Sequence, residues 1–160
     1  MAPEYTYENL EIGMKFTSPA RTVTVADIVN FAGVSGDYNA LHVDAEYAKN
    51  SIFGERVAHG LLGLAIGFGL FTRTELNLGL ASSALSLLGI NSWKFKGPIR
   101  IDDTIHLEIE VTDKQETSKP DRGVVVFTRS LVNQRGEVVQ VGEVPMLLKR
   151  ETAKQEGLER

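Results

Sequence analysis

The chain has 160 residues, 42% of them hydrophobic and 24% charged, with a formal charge of −4 and no cysteine. That length suits one domain around one core. The composition excludes wholesale disorder, and the negative charge argues against nucleic acid as the main partner. Without cysteine there is no disulfide, thiolate nucleophile or zinc–thiolate site, which fits a reducing compartment. The first residues include glutamates and lack a charged-then-apolar leader pattern, so a cytoplasmic protein is expected.

In chain order, a short strand is predicted to end near Val25, followed by a helix whose start pairs Thr24 with Asp27 three residues on. That resembles a capping box with Asp in place of Glu, and Ile28, Phe31 and Ala32 supply its apolar stripe. Gly33 and Gly36 are expected to end it. A short helix capped by Asp44 and a loop through Gly54 come next. The apolar run from Val57 to Phe71 contains His59 and falls short of the ~20 residues that cross a bilayer. Being apolar around nearly its whole circumference, it predicts a helix enclosed by its own protein. Gly63 and Gly67 share one face of it and would admit a neighbouring backbone closely.

From Leu85 the period changes to two. One strand is expected across residues 85–101, interrupted at Gly97–Pro98. In a second, Ile105, Leu107, Ile109 and Val111 alternate with His106, Glu108 and Glu110. Two long strands then meet in a hairpin around Asn133 to Gly136. One all-round apolar helix followed by antiparallel strands defines an α+β fold, a curved sheet around a helix. A single domain is expected over residues 1–150, with a charged tail at 151–160.

Chemistry concentrates in two stretches. In "SGDYNALH", Asp37 precedes His42 by a spacing that would set the two roughly 140° apart on a helix and on opposite faces of a strand. Only a turn could make them converge, and Gly36 and Asn39 tolerate the left-handed backbone that turns often use. In "RVAHGLLG", His59 and Gly60 stand where a loop becomes the apolar helix. The first-turn amides there have no carbonyl partners within the helix and suit a developing oxyanion. Backbone crowding would explain Gly60 equally well. The three histidines, dispersed and without cysteine, make a poor metal set.

Together "FAGVSGDYNALHVDAEYA", "RVAHGLL" and "WKFKGPIRIDDTI" resemble the hydratase motifs of the MaoC-like dehydratases and R-specific enoyl-CoA hydratases, over roughly residues 5–150. Ala40 stands where that family usually has proline, and Asp102 where glycine is common before Asp103. The resemblance implies a hot-dog fold, a homodimer or dimer-based oligomer with edges paired, and a hydro-lyase that adds water reversibly to a trans-2-enoyl thioester. Asp37 and His42 would hold the water and move its protons, and the Gly60 amide would bind the thioester oxygen. Asn39, His59 and Ser35 would position these groups or bind substrate. The substrate would be an acyl-CoA or acyl carrier protein thioester, with no cofactor, metal, membrane or nucleic acid involved. A hot-dog thioesterase and a non-catalytic acyl-CoA-binding protein are the alternatives.

Overall fold

Seven strands form one antiparallel sheet with a helix laid on its inner face in the computed structural model, which describes residues 3–150. The expected tail at 151–160 lies outside the described residues. The strands are β1 (Lys15–Thr17), β2 (Arg21–Thr22), β3 (Ala84–Leu87), β4 (Asn91–Phe95), β5 (Thr104–Glu116), β6 (Arg122–Asn133) and β7 (Val138–Lys149); the helices are α1 (Val25–Ser35), α2 (Ala40–Val43), α3 (Ala45–Lys49), α4 (Gly60–Phe71) and α5 (Glu75–Gly79). The sheet order is β1-β5-β6-β7-β3, with β2 also on β5 and β4 also on β7.

The period-two pattern sets the two sides of the sheet. Ile105, Leu107, Ile109 and Val111 of β5 are all 2% exposed or less and face the core, as the alternation predicts. The β6–β7 hairpin closes at Gly136, whose φ of 77° is the left-handed backbone that such a turn asks for. The single strand expected over residues 85–101 is two, β3 and β4. Between them the strand breaks at residues 88–90, with only the Leu88 amide still bonded to β7, at the Pro145 carbonyl, and Ser92 takes a positive φ of 52° in the irregular pairing of β4 with β7. Asp102 has φ 68°, which explains why a glycine would be at home there. Its neighbour Asp103 is 2% exposed and accepts from the Arg100 amide, Gln134 Nε2 and Arg135 Nη1 at 2.8–2.9 Å. That carboxylate ties the turn before β5 to the β6–β7 hairpin.

At α1, Thr24 donates its backbone N–H to the Asp27 carboxylate at 2.8 Å, the cap that the sequence predicts. Gly33, expected to help end this helix, lies inside it, and Gly36 alone terminates it with φ 75°. The core gathers Leu62, Ile66, Leu70 and Phe71 of α4 against Leu107, Phe127, Leu131 and Val144 of the sheet.

The expectation that α4 is enclosed by its own chain is overturned. Leu61 is 60% exposed, and Ala65 and Gly69 are exposed on the same flank. Gly63 and Gly67 do make room, but for side chains rather than for backbone. A Cβ at Gly63 would stand 2.3 Å from Gln140 Nε2, and one at Gly67 would stand 3.4 Å from Leu131.

One inward position of β6 is charged. Arg129 is 1% exposed and stacks 3.8 Å from the Phe71 ring centre, and burial pushes its guanidinium down to about 9. A desolvated cation over an aromatic face is worth roughly 2 kcal/mol, which offsets part of that burial.

Candidate active site

The first motif folds as a chain of local caps. Ser35 donates its hydroxyl to the Phe31 carbonyl at 2.6 Å and accepts the Asp37 amide at 3.1 Å, so it fixes the exit from α1. The Asp37 carboxylate accepts the Asn39 amide at 3.2 Å, and the Asn39 side chain in turn accepts the Leu41 amide at 3.0 Å as the N-cap of α2. Asn39 therefore acts as a cap with φ −55°, not as a left-handed turn residue. His42 sits on that short helix, and the turn at Gly36 with the cap at Asn39 brings it back toward Asp37. Asp44 caps α3 by accepting the Glu46 and Tyr47 amides.

The second motif is held from another side. The Ala58 amide donates to the Ile99 carbonyl at 2.8 Å, which fixes the approach to α4. His59 is the N-cap, but its ring does not cap the helix, so the amides of the first turn at Gly60 are left for another acceptor. The ring instead reaches the Asp37 backbone carbonyl through Nε2 at 2.9 Å and stacks on His42 with ring centres 3.8 Å apart. His59 thus touches both members of the first motif, by a hydrogen bond to one and a ring contact to the other. Backbone crowding at Gly60 is present: the Phe95 ring would lie 2.9 Å from a Cβ there.

His42 Nδ1 lies 2.7 Å from the Val57 carbonyl. A carbonyl can only accept, so in the neutral ring Nδ1 carries the proton and Nε2 is the acceptor. One donor atom from each of Asp37, His42 and His59 lies within 4.8 Å of the others. Two hydrogen bonds of about 2.8 Å each bridge such a gap through a single water. A carboxylate and two imidazoles are also donor types that suit zinc and similar metals. The histidines read as dispersed are therefore partly gathered, although His42 and His59 each already spend one nitrogen on a backbone carbonyl. His106 stays apart on β5, 3.4 Å from Glu108.

These groups open onto a cavity of about 580 Å³ that Asp37, His42, His59, Gly60, Phe95 and Gln140 line in part, within the ~300–1,000 Å³ usual for ligand sites. Phe95 falls inside the third motif stretch without being singled out as a site residue, and Gln140 falls outside all three. Gln140 leaves one trace, a polar side chain at a position of β7 that shares the inward face with Val144, Met146 and Leu148.

A carboxylate and an imidazole close enough to hold one water between them, beside helix amides that no side chain caps, suit acid–base chemistry on a carbonyl compound, and they are set on a curved sheet around one helix. The chain belongs to the MaoC-like domain family, whose model matches residues 8–133. An (R)-specific enoyl-CoA hydratase of Rhodospirillum rubrum is 34% identical over 143 residues, 89% of this chain and 90% of that protein. Protein MaoC of Klebsiella aerogenes is 37% identical over 116 residues, 72% of this chain but 32% of that protein. The crystal structure of a MaoC-like dehydratase from Rhodospirillum rubrum superposes with a TM-score of 0.82 at 32% identity, covering 92% of this chain and 98% of that one. A Mycobacterium tuberculosis protein with a double hotdog fold matches at a TM-score of 0.75 and 17% identity over 92% of this chain and 45% of that one. The fold is the hot dog, α+β, as the motifs imply. No helix among the described residues is long and apolar enough to cross a membrane.

Proposed function

We propose that the protein is an (R)-specific enoyl-CoA hydratase, a hydro-lyase that adds water reversibly across the double bond of a trans-2-enoyl thioester. The observation that carries this reading is the approach of Asp37, His42 and His59 donor atoms to within 4.8 Å at the mouth of α4. One water held between Asp37 and His42 gives its hydroxyl to C3 as the Nε2 lone pair of His42 takes its proton. The Gly60 amide receives the charge that builds on the thioester oxygen. A proton returned to C2 from the same pair completes the addition on one face. Ser35, Asn39 and His59 keep the geometry, and the reaction needs no cofactor.

Crotonyl-CoA separates this reading from its rivals. Loss of the enoyl absorbance without release of thiol is expected. Thiol release would make the protein a thioesterase, and tight binding without turnover would make it an acyl-CoA-binding protein.

The working form in this proposal is a homodimer. The β3–β4 edge carries Leu85, Leu87, Leu88, Ile90 and Phe95, each 41–55% exposed, and an apolar edge strand left open invites another chain. Phe95 also lines the cavity, so a second copy on this edge would finish the pocket wall. Sedimentation at micromolar concentration is expected to give a dimer, and a monomer would contradict it.

A further inference from the structure

Gln140 stands beside the candidate site, and none of the three motif stretches contains it. It lies on β7 at 2% exposure and borders the cavity with Asp37, His42 and Gly60. Its Nε2 donates to the Gly60 carbonyl at 2.9 Å, and its Oε1 accepts from the Trp93 indole at 3.1 Å. The indole N–H can only donate and the carbonyl can only accept. The two partners therefore dictate which way the amide points.

Two glycines clear the space for this chain of bonds. A Cβ at Gly63 would fall 2.3 Å from Gln140 Nε2, and a Cβ at Gly142 would fall 2.4 Å from Trp93 Cε3. In a helix the Gly60 carbonyl already accepts the amide four residues on, so α4 does not need Gln140 to satisfy it. What the extra bond adds is a fixed place for the first turn, against a strand of the sheet. That turn carries the amide at which charge would collect, and oxyanion donors work only when their position is set in advance.

We propose that Gln140, aimed by Trp93, is a positioning residue that holds the first turn of α4 so that the Gly60 amide meets the thioester oxygen in the transition state. This rests on the hydration reading above. It extends the machinery to two residues 47 apart in sequence, one of them on the edge strand β4.

The test is Gln140→Glu, alongside Gln140→Leu and Trp93→Phe. The glutamate is nearly isosteric and keeps an acceptor for Trp93, but as a carboxylate it cannot donate to Gly60. At neutral pH its kcat for crotonyl-CoA is expected to drop about tenfold or more, since small misplacements of catalytic groups cost on that scale, with KM little changed. As pH falls and the new carboxyl gains a proton to donate, the kcat ratio to wild type is expected to recover. Gln140→Leu shows the same loss without recovery, and Trp93→Phe a smaller one.

In parallel, backbone amide exchange at residues 60–62, measured by NMR, is expected to quicken in the glutamate and leucine variants. Wild-type kcat in a folded glutamate or leucine variant, a loss confined to KM, or unaltered exchange at residues 60–62 would overturn the assignment. If the leucine variant fails to fold, the glutamate variant and Trp93→Phe decide. A wild-type protein that does not hydrate crotonyl-CoA sinks the hydration reading instead, and the exchange measurement then still decides whether Gln140 fixes the turn.

Discussion

Replacing Asp37 with asparagine is expected to lower the rate of enoyl-CoA hydration by about 10²-fold or more, the usual worth of a positioned acid–base group, with no change in melting temperature. The second half of that expectation comes from the structure. Asp37 is exposed, its carboxylate serves one neighbouring amide, that of Asn39, and an asparagine oxygen can accept that bond as well. His42→Ala is expected to cost as much in rate and slightly more in stability. It strands the Val57 carbonyl, which now accepts from His42 Nδ1 at 2.7 Å, and a lost hydrogen bond of this kind costs about 1 kcal/mol. Steady-state kinetics and thermal melts on the two variants check both halves. Rates near wild type in either variant would remove Asp37 and His42 from the chemistry.

The second large effect concerns stability and lies away from the cavity. Burial pulls the Asp103 carboxyl upward, but the Arg135 guanidinium, the Arg100 amide and the Gln134 side chain together outweigh that and hold it below the usual carboxylate range. A carboxyl whose pKa is lower in the folded state stabilises the fold fully above its unfolded value, and that stabilisation is lost as pH falls through the folded value. Asp103→Asn is therefore expected to reduce stability at neutral pH by on the order of 2 kcal/mol. It should also flatten the decline of stability in acid, because the mutant has no such proton to take up. Urea unfolding of the two proteins across pH 3–7 reads both, and parallel curves would contradict this account of Asp103.

Much of this was legible in the sequence where the cause is local. The cap at Thr24 and Asp27, the cap at Asp44, the alternation of β5 and the hairpin at Gly136 each depend on residues a few positions apart, and the structure has them all. Asp37 and His42 stood out as candidates through the resemblance of their stretch to a family motif, because their spacing in a turn-forming sequence says little by itself. What stayed hidden depends on distant partners. Gly33 looks like a helix terminator, yet it sits on the exposed side of α1, where a missing side chain loses no core packing. The outer flank of α4 is as apolar as its inner face, and hydrophobicity alone cannot distinguish a surface covered by the same chain from one left open, as at Leu61. Trp93 and Gln140 meet only because β4 and β7 pair.

Addition to one face requires one water shared by the carboxylate of Asp37 and the imidazole of His42. Hydration of crotonyl-CoA in D2O, followed by proton NMR of the coupling between C2 and C3 of the product, tests this directly. A single diastereomer with the deuteron and the hydroxyl added to the same face is the expected product; addition to opposite faces, or a mixture of the two, would contradict a shared water.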